Sequence, residues 1–247
     1  MTKTAVVTGA SSGIGWACAA ALQAAGWQVV AVARRKERLA QLAAQTGCEY
    51  VAADLTKDAG IDTVTEYLDG RAVQVLVNNA GGAFGVDSIA EAVVERWQHM
   101  FEINVLATVK ITRALLPAMR REGGTIVFIT STAAHDTYPG GGGYVAAKHA
   151  ERVIPLTMRQ ELAGEPVRIV EIAPGMVHTE EFSLNRLGSQ EKADAVYAGV
   201  QSPLQAADVA EAVRWCVQLP AHVNIDSMII RPVEQATNTL TKRLRKP

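Results

Sequence analysis

Tyr144 and Lys148 stand four residues apart behind a run of four glycines, and Ser131 lies thirteen residues before the tyrosine, at the end of an apolar stretch. A free phenol has a pKa of about 10 and is a poor base near neutrality. An ammonium one helical turn away stabilises the phenolate and draws that value toward about 7. Tyrosine then becomes a usable proton donor and acceptor. A Tyr and a Lys at this spacing are also an ordinary solvated helix edge, so the pair gains weight only from what surrounds it.

The surroundings are short β-branched runs alternating with Ala/Leu-rich segments of helical length, the pattern of repeated β-α-β units. Strands are expected near 4–8, 28–33, 49–53, 73–78, 124–130, 167–173 and 226–231. Helices are expected from Ile14 to about Gly26 and near 35–45, 59–69, 89–120, 144–163 and 206–218. This is an α/β chain, a single-domain, Rossmann-type, doubly wound parallel sheet of about seven strands spanning 1–247, with 240–247 a flexible basic tail.

The first strand runs into Thr8-Gly9-Ala-Ser11-Ser12-Gly13-Ile14-Gly15 and then into the first helix. Glycines there allow the turn and a close backbone approach, and free N–H groups at the helix start attract a pyrophosphate. The second strand ends Ala33-Arg34-Arg35, where an NAD site usually carries a carboxylate. Two guanidiniums suit a 2′-phosphate instead, so the expected cofactor is NADP(H). Asp54, followed by Leu55, ends the third strand and either accepts a bond from the adenine amino group or caps a helix. Asn78-Asn79-Ala80-Gly81 ends the fourth, where small residues leave room for the adenosine ribose and amides can also tie strands together.

With 247 residues, 49% hydrophobic composition and a net charge of −1, the chain carries no electrostatic footprint for nucleic acid or a membrane surface. No leader pattern or spanning apolar run is seen, which places the protein in the cytoplasm as an expectation. Cys18, Cys48 and Cys216 are odd in number and widely spaced, so buried reduced thiols are expected, with neither disulfides nor a thiolate metal site.

Taken in order, these motifs resemble the short-chain dehydrogenase/reductase family from about Lys3 to Val233: Thr-Gly-x-x-x-Gly-x-Gly at 8–15, Asn-Asn-Ala-Gly at 78–81, Asn104, Ser131, Tyr144-x-x-x-Lys148, and Pro174-Gly175 followed by Thr179. The segment around Glu180-Glu181-Phe182 and the C-terminal end are similar to the branch of NADP-dependent 3-hydroxy acid dehydrogenases that includes serine 3-dehydrogenase. The resemblance implies catalytic roles for Asn104, Ser131, Tyr144 and Lys148. Lys148 would hold the nicotinamide ribose, Asn104 would anchor a water linking the lysine to solvent, and Pro174, Gly175, Val177 and Thr179 would meet the carboxamide. It also implies a homo-oligomer, tetramer or dimer.

Three features depart from the family pattern. His135 stands where a small residue is usual and either reaches the substrate pocket or sits on a surface loop. Pro155 interrupts the helix starting at Tyr144, which removes a backbone donor and predicts a kink. Gly140 to Gly143 predict a loop that orders when cofactor and substrate arrive. Residues 180–203 form a polar lid, on which Arg186 is the candidate grip for a substrate carboxylate. The substrate is a small molecule: a 3-hydroxy acid, or alternatively a larger neutral ketone or aldehyde. A regulator that binds NADP without chemistry is the remaining alternative.

Overall fold

The strands read as almost unbroken apolar runs because helices cover both faces of the sheet. The computed structural model describes residues 3–244. Its strands are β1 (Thr4–Thr8), β2 (Gln28–Ala33), β3 (Glu49–Ala52), β4 (Val73–Asn78), β5 (Gly124–Ile129), β6 (Val167–Pro174), β7 (Val177–His178), β8 (Leu204–Gln205) and β9 (Ser227–Ile230). Seven of them form one parallel sheet in the order β3-β2-β1-β4-β5-β6-β9, while β7 and β8 pair separately. The order reverses between β1 and β4, and such a reversal opens a crevice at the carboxyl ends of the strands.

The helices are α1 (Gly13–Ala24), α2 (Lys36–Thr46), α3 (Asp58–Tyr67), α4 (Val94–Phe101), α5 (Ala107–Glu122), α6 (Gly142–Glu161), α7 (Phe182–Leu187), α8 (Gln190–Tyr197) and α9 (Ala206–Gln218). Strand alternation sorts the core into two layers. Val7, Val29, Ala31, Val75 and Val77 face Leu22 of α1, Leu42 of α2 and Val213 of α9. Val6, Val30, Val32 and Leu76 face Val64 of α3, Ile111 of α5 and Met158 of α6. With both faces filled by apolar side chains, the crevice is left as the place where polar groups converge.

Several expectations change in detail. The helix expected over 89–120 is a short 3-10 turn at Ile89–Glu91, then α4, a π-helical turn at Glu102–Leu106, and α5. Helix α6 runs on past Pro155, which is buried. The only bond proline forfeits there is the one to the carbonyl of Glu151, four residues earlier, so the helix is not interrupted. The glycine run is not a loose loop, because Gly142 and Gly143 already belong to α6. A Cβ on Gly142 would lie 2.9 Å from Trp97 and Ile89 side-chain atoms, and one on Gly143 would lie 2.9 Å from the Trp97 indole nitrogen. Close packing under the start of α6, rather than flexibility, requires these glycines.

The lid contains α7 and α8, and β8 pins its far end to β7. Residues 240–244, expected as part of a flexible tail, are tied down: Lys242 donates its backbone N–H to Glu234 and Leu244 donates to Gly199. The rest of that tail, 245–247, lies outside the described residues. Among the described residues no helix is long and apolar enough to cross a membrane, and no cluster of His, Cys, Asp or Glu could hold a metal ion. The three cysteines are free and buried.

Candidate active site

Two connected clefts occupy the crevice. The larger, about 640 Å³, is lined by Ser131, Tyr144, Lys148, Thr179, Phe182 and Arg186 among others. The smaller, about 380 Å³, is lined by Ser11, Arg34, Arg35, Asp54 and Leu55. Gly9, Ser12 and Gly81 border both. A long two-ended ligand would span them.

The turn after β1 is built for a close approach. Gly9 and Gly13 have φ of +66° and +53°, which favour glycine. A Cβ on Gly15 would fall 2.5 Å from the Asn79 amide nitrogen, so the helix could not sit this near the β4 loop with any side chain there. Ser12 makes no side-chain cap and the first turn of α1 holds no acidic residue, which leaves the N–H groups beside Ile14 available to an anion.

Thr8 and Asn79 lock the two strand ends together. The Thr8 hydroxyl donates to the Val77 carbonyl and accepts from the backbone N–H of Asn79 and Ala80, both at 3.0 Å. The Asn79 amide donates to the Thr8 carbonyl at 3.0 Å. Of the two roles weighed for this amide, strand tying is the one its hydrogen bonds display, while its flank still faces the larger cleft.

Asp54 closes a turn on its own chain, accepting from the Thr56 N–H at 3.1 Å and hydroxyl at 2.8 Å. Burial opposes its charge, but those bonds and the nearby Arg34 hold its carboxyl below the usual range. Helix α3 is preceded instead by Lys57. The second Asp54 oxygen is left for the smaller cleft.

Arg35 is engaged by a partner that no local pattern revealed. Its guanidinium meets Glu181 of the lid through two bonds of 2.8 Å and also donates to Ser11 and Ser12. The Arg35 bond holds the Glu181 carboxyl below its ordinary value. A carboxylate seated on the Arg35 guanidinium, which also holds the Ser11 and Ser12 hydroxyls beside it, marks a place suited to an anion.

Tyr144 and Lys148 are buried, on the first turns of α6. The Lys148 Nζ lies 5.9 Å from the Tyr144 ring centroid and donates to the Ile129 carbonyl at 3.2 Å and to Glu151 at 2.6 Å. An ammonium has three protons, so one remains for the cleft. Burial raises the Tyr144 value above that of an ordinary phenol; Lys148 and the Ser131 hydroxyl pull it down, without overcoming burial. The lysine therefore acts in the expected direction, but the value is not brought down toward 7 by this chain alone. Burial opposes the Lys148 charge too, yet Glu151 outweighs it and leaves the ammonium above its usual value.

Asn104 sits on the π turn and is fully buried. Its side chain is directed at the Gly81–Gly82 loop, and π turns recur at functional positions. Its amide nitrogen donates to the carbonyls of Gly82 at 2.9 Å and Met100 at 2.7 Å, and its oxygen accepts from the Gly82 N–H at 3.2 Å. Both donors are thus taken. The amide fastens the Gly81–Gly82 loop, and an anchored water would have to use the remaining acceptor capacity.

His135, one expectation for the pocket, is absent from the cleft walls: its Nε2 lies 3.0 Å from Glu171, a wholly buried carboxylate. Arg186 does reach the cleft. Its guanidinium carbon sits 5.6 Å from the Tyr144 ring centroid and 5.5 Å from that of Tyr138. Its backbone is tied to Gly85 by the Gly85 N–H, which donates to the Arg186 carbonyl at 2.9 Å. Phe182 meets the Tyr144 ring edge-on at 5.7 Å.

After β6, Pro174, Gly175, Val177 and Thr179 border the larger cleft. The Thr179 hydroxyl is buried and, among the described residues, has no hydrogen-bond partner. A buried polar atom without a partner is costly, and a carboxamide or other polar ligand end would satisfy it. Gln235 and Asn238, which no motif marks, return from beyond β9. Gln235 accepts from the Met176 N–H at 2.8 Å, and Asn238 donates to the Thr132 carbonyl at 3.1 Å. Only the folding back of the C-terminal segment, for Asn238 across more than a hundred residues, places them here, so no local signal could have found them.

The reversal point, the glycine turn, the anion fork, and Ser131 beside the buried Tyr144 and Lys148 together define a dinucleotide-binding oxidoreductase. A family model described as short chain dehydrogenase matches residues 3–188. The chain belongs to that family. It is 53% identical to an uncharacterized oxidoreductase of Mycobacterium tuberculosis, over 95% of this chain and 93% of the relative. It is 39% identical to the NADP-dependent 3-hydroxy acid dehydrogenase YdfG of Salmonella typhi, over 94% and 95%. Among solved structures, the closed form of serine dehydrogenase complexed with NADP+ superposes with a TM-score of 0.91 at 36% identity, covering 98% of this chain and all of the other.

Proposed function

We propose that this protein interconverts a secondary alcohol and a carbonyl on a small 3-hydroxy acid or a related acid, with NADP(H) as cofactor. The observation that carries the acid substrate is the position of Arg186. Its guanidinium lies over the Tyr144 ring inside the same cleft as Ser131, and among the described residues its two terminal nitrogens have no protein partner. A carboxylate held in that fork would set the hydroxyl-bearing C3, one carbon beyond its neighbour, near the phenol.

The choice of NADP(H) is supported by the fork of Arg35, Ser11 and Ser12, by Arg34 beside it, and by the cofactor named for the relatives. Bound there, it supplies hydride exchange at the nicotinamide. This chain's residues do the rest. Ser131 donates to the substrate oxygen as charge builds on it. Tyr144 gives that oxygen a proton in reduction and removes it in oxidation. Lys148 favours the phenolate and offers its remaining N–H to the ribose side. Thr179 orients the carboxamide, and Phe182 and Arg186 close the cleft against water.

Ala83, Phe84 and Val86 also line the larger cleft and favour a second reading, a carbonyl reductase for a bulkier neutral ketone or aldehyde. A non-catalytic regulator has no observation in its favour, because Ser131, Tyr144 and Lys148 are all in place. Self-association, as a dimer or tetramer, is supported by exposed Val94, Phe101, Leu106, Val109 and Val153 on the helices beside the site; a cytoplasmic location is part of the same reading. The test is a panel of 3-hydroxy acids, amino alcohols and neutral secondary alcohols incubated with NADP, following absorbance of the reduced nicotinamide. Turnover confined to acids supports the first reading. Turnover confined to neutral alcohols replaces it with the second.

A further inference from the structure

A carboxylate lies beneath the catalytic lysine that none of the motifs accounts for. Glu151 is 1% exposed and its Oε2 is 2.6 Å from the Lys148 Nζ, whose own side chain is 6% exposed. Burying a carboxylate is unfavourable even beside a cation, and neither the sheet nor the packing of α6 requires an acid at this position. We propose that Glu151 is the positioning residue of the active site: it fixes the Lys148 ammonium under the Tyr144 ring and, by gaining or losing a proton, switches the net charge that Tyr144 faces. The proposal rests on the reading of Tyr144 as acid and base.

The geometry leaves Glu151 few other partners. On its own helix it faces Lys148 and, beyond it, Tyr144. From β6 the wholly buried Glu171 faces it, and Glu171 is itself met by His135 at 3.0 Å and Arg152 at 3.5 Å, with Thr130 and Ser227 donating to it at 2.8 Å. Glu171 is therefore well supplied with partners, whereas Glu151 depends on one ammonium. Burial pushes the Glu151 carboxyl up to about 7, against the pull of Lys148 and with a further push from Glu171. When Glu151 is ionised, its charge opposes part of the pull that the Lys148 ammonium exerts on the Tyr144 phenolate. When Glu151 is protonated, the full ammonium charge acts on Tyr144 and favours its phenolate.

The test needs no substrate. Phenolate absorbance is titrated in wild type, Glu151→Gln and Tyr144→Phe, and the Tyr144 transition is isolated by subtracting the Tyr144→Phe curve. Glu151→Gln keeps an oxygen that can accept from Lys148 but carries no charge, so the Tyr144 midpoint is expected to move to lower pH. Glu151→Asp, which keeps the charge, should leave it near the wild-type position. An unchanged or raised midpoint in a folded Glu151→Gln protein overturns the proposal. Should that variant fail to fold by circular dichroism, wild-type protein with side-chain carboxyls of glutamate labelled with ¹³C decides the matter. A buried carboxyl titrating near 7 supports it; every glutamate titrating below about 5, as ordinary carboxyls do, overturns it. Failure of the alcohol panel would instead remove the substrate reading and leave this titration standing.

Discussion

On the proposed placement of the 2′-phosphate at Arg35, replacing Arg35 with alanine separates that phosphate from everything else the cofactor offers. In the structure the Arg35 guanidinium already has two 2.8 Å bonds to Glu181 and bonds to Ser11 and Ser12. A phosphate entering this fork displaces a carboxylate, so each new bond replaces an old one. A charge-assisted bond contributes about 1.5–3 kcal/mol net of its exchange with water. Exchange with Glu181 and the 45% exposure of the Arg35 side chain reduce this to about 1–2 kcal/mol, or roughly a 5- to 30-fold loss of NADP affinity. NAD, which lacks the phosphate, should lose less than about twofold on the same scale. Calorimetric titration of both cofactors into wild type and Arg35→Ala measures this directly. The companion variant Glu181→Gln frees the fork and should tighten NADP binding. Equal weakening of NADP and NAD, or no change in either, would refute the assignment of this fork to the phosphate.

Three further outcomes follow from the site. Tyr144→Phe deletes one hydroxyl and leaves the ring that Phe182 and Arg186 pack against, so turnover should fall by about 10²-fold or more while NADPH binding stays near wild type; a variant keeping more than a tenth of the activity contradicts the acid/base role. Arg186→Ala should raise KM for an acidic substrate by about tenfold and leave KM for a neutral alcohol unchanged, in steady-state assays. Gly15→Ala forces a methyl against the Asn79 amide and the Gly9 backbone, and overpacking of that kind costs about 1–3 kcal/mol, lowering Tm by roughly 2–12 °C in a chain of this length; a melting curve superposing on wild type would show that the β1–β4 junction is looser than described.

The elements that repeat a strong local pattern were legible in the sequence. Apolar runs such as Ala5-Val6-Val7 and Val29-Val30-Ala31 must be strands covered on both faces, and the helix after Gly13 must begin where the glycine turn releases the chain. Irregular local features were not. The π turn at Glu102–Leu106 arises within a segment whose composition reads as one helix, because Asn104 gains three backbone partners only when Gly82 and Met100 stand beside it. The glycines before Tyr144 suggest mobility, since composition does not show that Trp97, Ile89 and Met100 crowd them.

Residue types and spacing were enough for the family, for the doubly wound sheet and for the glycine turn, and they marked Arg34, Arg35, Ser131, Tyr144 and Lys148, which the fold brings to the two clefts. All of these depend on neighbours within a few residues or on the period of a strand or helix. Only the folded chain shows that Glu181 occupies the Arg35 fork, that Glu151 underlies Lys148 with Glu171 behind it, that His135 turns to Glu171 rather than to the cleft, and that Gln235 and Asn238 complete its wall. Apart from the Lys148–Glu151 pair, these contacts join residues twenty or more positions apart. What a charged group does in such a place is set by burial and by the charges that folding brings to it, and neither is written in the order of the chain.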